Sequence, residues 1–279
     1  MNVIGIDLGA TNIRGAIVSD NSLSEITSIR IHSDGAVGAV LEDIYQTIDP
    51  LINKEIAAIG IGVPSVVDTE EGIVYDVQYI PSWKEVPLKQ ILEKRYNKKV
   101  FVNNDANCFV LGEYYFGKGR GAQSLIGLTI GTGLGGGVII HNKLYPGRNC
   151  GAGEFGLLPY KDNILEYYCS GSFFKNVHGL DGVQVSEAAK KGNANALALY
   201  AELGTHIGNA IKAVIYTYDP ELIVLGGSVA QAFDWFQKTM WQEIKTLAYG
   251  KSAERIRIEI SNLTNSGILG AAALYYDAQ

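Results

Sequence analysis

The sequence predicts an α/β protein of two related lobes, and three observations carry that reading. Glycine-rich turns between β-branched strands occur twice, as Gly5-Ile6-Asp7-Leu8-Gly9-Ala10-Thr11-Asn12 and as Leu128-Thr129-Ile130-Gly131-Thr132-Gly133-Leu134-Gly135-Gly136-Gly137. After each turn, strand-like and helix-like segments alternate, the order expected of helices layered on a sheet. The second half also opens as the first does, with strand, glycine turn and strand, which reads as a degenerate internal duplication with a cleft between the halves.

The elements follow in order. Val3–Asp7 and Asn12–Val18 form the first hairpin. Gly35–Ile52 reads as a helix, with Val37, Val40, Leu41, Ile44 and Ile48 on one face. Ala57–Val63 is a buried strand ending at Pro64, and Gly72–Tyr75 a short edge strand. Pro87 opens a helix that runs to Tyr96. Strand Lys99–Val102 delivers Asn103-Asn104-Asp105, and a helix over Ala106–Phe116 follows. The second hairpin spans Ser124–Ile140, and a loop-rich stretch from His141 to Ser170 follows. A long helix over Ala194–Tyr216 stops at Asp219-Pro220. Strand Glu221–Leu225, a helix around Trp235, strand Ile256–Ile260 and an Ala-rich helix Ile268–Tyr276 complete the chain. Gly117-Lys118-Gly119-Arg120-Gly121 is the hinge candidate, which divides the chain into lobes at 1–117 and 118–264, with a C-terminal helix of about 265–279 packing back on the first.

Bulk properties exclude several classes. The chain has 279 residues, 47% of them apolar and 19% charged, as in an ordinary globular enzyme. Its net charge is −6 with no Lys/Arg cluster, so no nucleic-acid partner is expected. The stretch Leu125–Ile140 is apolar but holds six glycines, which suits a hairpin and not a membrane span. No leader is read at Met1-Asn2-Val3-Ile4, and three widely spaced cysteines, Cys108, Cys150 and Cys169, suit a reduced, cytoplasmic protein.

Glycine turns of this kind gather backbone N–H groups and hydroxyls about an anionic oxygen. Two in one chain predict two loops gripping one polyphosphate. Asp7, beside Gly9, Thr11, Asn12 and Arg14, suits a Mg²⁺ held through water. Thr132 and Gly133 are placed for terminal phosphates, and Gly226-Gly227-Ser228 for the adenosine end, although that segment alone reads equally as a plain strand-to-helix turn. Phosphoryl transfer to a hydroxyl needs a base and an orienting group. Asp105 is the candidate base and Asn104 the orienting side chain; alone, Asp105 or Asn107 is a helix cap. Glu154 and Glu166 are candidate acceptors for sugar hydroxyls, and a glycosidase pair ranks below that. His32, His141, His178 and His206 match no metal spacing and read as surface or loop residues. Tyr160, Tyr167, Tyr168, Phe173 and Phe174 read as packing, and Trp83 as core or cleft lining.

Taken in order, Asp7-Leu8-Gly9-Ala10-Thr11-Asn12, Asn104-Asp105-Ala106-Asn107, Thr129–Gly137, Gly153-Glu154-Phe155-Gly156 and Leu225-Gly226-Gly227 resemble the motifs of ROK-family sugar kinases over essentially the whole chain. The resemblance implies the two-lobed actin-like, hexokinase-like (ribonuclease H-like) ATPase fold with a central cleft that closes on MgATP and a hexose. It implies Asp105 as catalytic base, Asn104, Glu154, Glu166 and Ser65 as sugar contacts, and a homodimer. The chain departs from the family in Leu157, where a histidine is usual, in Tyr160-Lys161-Asp162-Asn163-Ile164, where a zinc cluster is usual, and in Ser65 and Tyr79. No structural zinc is therefore expected. The leading expectation is a glucokinase-like enzyme making a sugar 6-phosphate. N-acetylmannosamine, N-acetylglucosamine or fructose are the alternative acceptors. A non-catalytic sugar sensor or a DNA-binding regulator is the alternative class, the regulator set aside because the phosphate hairpin begins at residue 3.

Overall fold

The computed structural model describes residues 1–19 and 22–279, and the chain divides into two units. The first comprises Met1–Gly121, Gly137–Ala152 and Asn262–Gln279; the second comprises Ala122–Gly136 and Gly153–Ser261.

The first unit is built on strands β1 (Asn2–Leu8), β2 (Asn12–Ser19), β3 (Thr27–Arg30), β4 (Ile56–Val63) and β5 (Lys99–Asn104). Their order is β2-β1-β4-β5, with β3 also paired to β2 and a short strand Ser22–Leu23 at the edge. β1 runs antiparallel to β2 and parallel to β4, and β4 runs parallel to β5. Successive side chains of a strand face opposite ways, and the two faces are covered differently. Ile4, Ile6 and Leu8 pack with Val40, Ile44 and Ile48 of helix α1 (Val37–Ile48). Val3 and Ala58, on the other face, pack with Ile268, Leu269 and Ala272 of the C-terminal helix (Ser266–Asp277). Burial on both faces is why these strands read as continuous apolar runs.

That helix sits unusually close. A Cβ on Gly5 would lie 2.1 Å from the carbonyl oxygen of Ile268, and one on Gly60 would lie 1.8 Å from that of Ala271. Helices α2 (Leu88–Tyr96) and α3 (Asp105–Phe116) complete the layers. Trp83 is fully buried, so its place is core and not cleft lining.

In the second unit the strands β6 (Ser124–Ile130), β7 (Leu134–Ile140), β8 (Leu222–Gly226) and β9 (Arg257–Ile260) are ordered β7-β6-β8-β9. β6, β8 and β9 are parallel. The last residues of β7 belong to the first unit, where they pair with Lys143–Leu144. The helices are α4 (Leu165–Cys169), α5 (Phe173–His178), α6 (Gly182–Lys190), α7 (Ala194–Tyr218), α8 (Phe233–Ile244) and α9 (Gly250–Arg255). α7 and α8 meet through Gly204 and Gly208, whose Cβ positions would lie 2.3 Å from Phe236 O and 2.7 Å from Met240 O.

The loop-rich stretch 141–170 holds short elements, among them the paired strands Pro159–Tyr160 and Asn163–Ile164 and helix α4. α5 and α6, which carry no strong apolar period, were not expected. α7 continues two residues beyond Tyr216 and ends at Asp219 in the left-handed region. His206 is neither a surface nor a loop residue. It is buried on α7, against Tyr160, Tyr168 and Phe173, with Nδ1 3.0 Å from the Tyr160 hydroxyl. The loss of hydration holds its pKa below the ordinary histidine value, with Lys161 adding to the effect. The aromatic side chains around it are packing, as their spacing suggests.

Candidate active site

The candidate residues of the first unit gather at the carboxyl ends of three adjacent parallel strands. Asp7 of β1 pairs in register with Gly62 of β4, and Gly62 with Asn103 of β5. Two strand spacings, about 10 Å, therefore separate the Asp7 and Asn103 backbones. Strand ends of this kind are where open α/β sheets bind ligands.

Asp7 is half-buried, and its Oδ2 accepts a 2.6 Å charge-assisted bond from Arg14 Nη2. Arg14 Nη1 reaches Asn265 Oδ1 at 3.4 Å, at the start of the C-terminal helix. Gly267 closes the cradle: a Cβ there would lie 2.7 Å from the Asp7 carboxyl carbon, so a larger residue would push the carboxylate aside. The turn itself differs from expectation in one respect. Gly9 N–H donates to Asn12 O at 3.0 Å and so closes the turn instead of facing an anion, while Thr11 O accepts from Ile31 N–H. The side chains of Thr11 and Asn12 are exposed and remain as donors.

β5 extends through Asn104, and α3 begins at Asp105. Asn104 is the cap of α3: its Oδ1 accepts from Ala106 N–H at 2.8 Å and Asn107 N–H at 3.4 Å, while its Nδ2 donates to Ser65 O at 3.3 Å. The expected alternative, a cap at Asp105 or Asn107, is thus filled by the residue expected to orient the acceptor. Asp105 stands exposed on the first helical residue. Cys108 lies fully buried behind it, its thiol pKa pushed well up by loss of hydration and then by the charges of Asp105 and Asp7. Ser65 Oγ donates to Tyr75 O, which holds the loop after β4.

In the second unit the turn between β6 and β7 is braced by a carboxylate. Glu166 Oε2 accepts from Leu134 N–H at 2.9 Å, and a Cβ on Gly133 would meet that same oxygen at 2.5 Å. A side chain at position 133 would displace the Glu166 carboxylate from this place. Glu154 is exposed and bonds no cap of its own; desolvation by its surroundings and then the charge of Glu166 raise its pKa above the ordinary glutamate value. Leu157 and Leu158 follow it with 61% and 40% of their surface exposed.

Gly226 ends β8, paired with Thr129. Gly227 has φ +86°, and a Cβ there would lie 2.4 Å from Ile130 O, so the two glycine turns press against each other at backbone level. A cavity of about 540 Å³ opens beside them, lined in part by Gly131, Thr132, Ser172, Phe174, Ser228 and Val229. That volume is typical of a small-molecule site. Ser228 and Val229, not Gly226 and Gly227, form its wall; the glycines allow the close approach behind it. Gly171 N–H donates to Gly131 O at 2.6 Å and Ser172 Oγ to Thr132 O at 2.7 Å, tying the loop before α5 to the turn. This lining from α5 and α6 was missed in the sequence. Gly171-Ser172 and the α6 cap Asp181, which accepts from Gln184 N–H at 2.9 Å, were the available signals.

The lining of the cavity would suit a nucleotide, being apolar at Phe174 and Val229, which are 2% and 8% exposed, and polar at the exposed Thr132. Among the described residues no three His, Cys, Asp or Glu side chains converge on one point. The Arg14 contact uses only Oδ2 of Asp7, and a carboxylate of this kind would suit a Mg²⁺ held through water.

The family model described as ROK family matches residues 3–278. The chain belongs to the ROK family. It is 30% identical to a glucokinase of Thermotoga maritima over 98% of this chain and 97% of that one. It is 26% identical to a xylose repressor of Caldicellulosiruptor bescii, over 98% of this chain and 77% of the repressor. Its fold matches a ROK family glucokinase from Streptomyces griseus, solved in complex with glucose and AMPPNP, with TM-score 0.81 and 27% identity over 98% of this chain and 99% of that one. The fold is therefore the actin-like, hexokinase-like α/β fold of ROK kinases. Among the described residues no helix is long and apolar enough to cross a membrane.

Proposed function

We propose that this ROK-family protein is an ATP-dependent sugar kinase of glucokinase type, transferring a phosphoryl group from ATP to the 6-hydroxyl of glucose. The observation that carries the reading is the exposed Asp105 carboxylate at the start of α3, at the same carboxyl end of the sheet as the Asp7–Arg14 pair. The near full-length likeness to glucokinases supports it.

Asp105 accepts the proton of the attacking hydroxyl, and its place on the first helical residue keeps it near the N-terminal end of the α3 dipole, where a negative charge is stabilised. Asn104 and Ser65 hold the floor of the sugar site. Glu154 and Glu166 accept hydrogen bonds from ring hydroxyls, Glu166 with the oxygen that does not brace Leu134 N–H. The cavity beside Thr132 would take the nucleotide, and Asp7 is the residue that would hold a Mg²⁺ through water. MgATP, when bound, supplies the phosphoryl group and the ion's neutralising charge. A second reading, an N-acetylhexosamine as acceptor, is favoured by the exposed apolar pair Leu157-Leu158 that follows Glu154.

ADP release from MgATP over glucose, mannose, fructose, allose, N-acetylglucosamine and N-acetylmannosamine tests both. Highest kcat/KM on glucose is the expected result. A clear preference for an N-acetylated sugar would replace glucose, and no turnover on any would overturn the kinase reading.

Glu154 adds a pH signature. Its raised pKa means that it takes up a proton on acidification before an ordinary glutamate does. The charged form accepts from the sugar, so glucose KM is expected to rise as pH falls, with a midpoint above the usual value of about 4.3. Glu154→Gln should raise KM at neutral pH and remove that midpoint. A carboxyl with a raised folded-state pKa favours folding only below its unfolded pKa and loses that contribution as pH rises through the folded one. The same variant should therefore keep or slightly raise Tm at pH 7.

A further inference from the structure

We propose that Cys150 is a positioning residue for Asp105, acting through the buried amides of Asn103 and Asn107. The inference rests on the reading of Asp105 as the base. Asp105 is exposed, its Oδ1 accepts from Ala106 N–H at 2.9 Å, and the backbone that carries it is held by the residues on either side. Asn103, at the end of β5, places its Oδ1 at a junction of three donors: Asn104 N–H at 2.8 Å, Asn107 Nδ2 at 2.9 Å and the Cys150 thiol at 3.0 Å. The thiol sulfur also accepts from Asn107 Nδ2 at 3.3 Å. Asn103, Asn107 and Cys150 are 5%, 1% and 3% exposed. The junction thus joins the strand end, the first turn of α3 and the loop that carries Cys150, and Asp105 lies between its two asparagines.

Two details show that the thiol belongs to this junction. Asn107 Oδ1 is buried without a partner. Turning that amide over would set two carbonyl oxygens against each other, so Nδ2 faces Asn103 and the sulfur, and an unsatisfied oxygen is tolerated to keep it so. Cys150 itself has φ +58°, the left-handed region that glycine and asparagine occupy most readily. The chain has those very residues at Asn149 and Gly151, yet a cysteine stands at the position whose side chain reaches Asn103.

The backbone conformation supplies a clean test, because Cys150→Gly removes the thiol without forcing the turn. With Mg²⁺, ATP and the best sugar of the panel, Cys150→Gly is expected to lower kcat by ~10-fold, a fraction of the ~100-fold that a 1 Å misplacement can cost. Sugar KM should stay near the parent value, and the acid limb of the kcat–pH profile, which reports the base, should move. Cys150→Ser, which keeps a donor on the same atom, should restore most of the loss and return the acid limb. Parent-like kcat and pH profile in Cys150→Gly would overturn the proposal. So would equal losses in the glycine and serine variants, which would make the role one of packing. Asp105→Asn separates this from the underlying reading: if that variant turns over normally, the base assignment fails; if it is inactive while Cys150→Gly is normal, only the role of Cys150 fails.

Discussion

Asp105→Asn is expected to lower kcat by ~10²–10⁴-fold, the usual contribution of a positioned general base. The replacement keeps the shape of the side chain and removes only its capacity to take a proton. The fold should survive, because the cap of α3 is Asn104, whose side chain accepts from Ala106 and Asn107. What the helix loses is the attraction between a carboxylate and its N-terminal end, about 0.3–1 kcal/mol. The check is a pair of measurements: steady-state kcat on the preferred sugar, and calorimetric sugar affinity with Tm. A large fall in kcat with affinity and Tm nearly intact is the expected pattern. Turnover within about threefold of the parent would move the base elsewhere.

Gly270→Ala is expected to destabilise the protein by about 3 kcal/mol or more, at or beyond the upper end of what overpacking a core usually costs. Helix propensity alone gives the opposite sign, since alanine in a helix interior is favoured over glycine by roughly 0.5–1 kcal/mol. Close approach decides the contest. A Cβ on Gly270 would lie 1.7 Å from the carbonyl oxygen of Cys108 and 2.4 Å from its carbonyl carbon. These are backbone atoms of α3, held in its hydrogen bonds, and they cannot rotate away as a side chain can. Chemical denaturation of the variant, with α3 so displaced, should show a lower midpoint and reduced kcat; an unchanged or raised midpoint would mean that the helix is not seated as described.

The order of elements was legible in the sequence because both sheets obey simple periods. Ile4, Ile6 and Leu8 alternate with Val3 and Gly5, and α1 repeats its apolar residues at helical spacing. The places of Asp7, Asn104 and Asp105 at strand ends and of Thr132 in a glycine turn were legible from the sequence. What the backbone does at those turns was not. Whether the N–H of Gly9 faces an anion or closes on Asn12 depends on the path of the turn, which composition does not specify. The function of Gly133, leaving room for Glu166, depends on a residue 33 positions away. α5 and α6 are short, and α6 takes its shape from a cap and from packing on α7 more than from any apolar stripe. His206 was misread because a lone polar residue carries no mark of the aromatic pocket that will receive it.

The interleaving of the units has a consequence for synthesis. Residues 262–279 belong with the first unit, although residues 153–261 of the second precede them in the chain. On a ribosome, chain leaves in sequence order, and domains generally form as their residues emerge. The sheet face around Gly5 and Gly60 must wait uncovered through the making of the whole second unit before its helix arrives. A premature stop after residue 261 would leave the sheet face of Val3, Ala16, Val18 and Ala58 uncovered, an exposed apolar patch prone to aggregation.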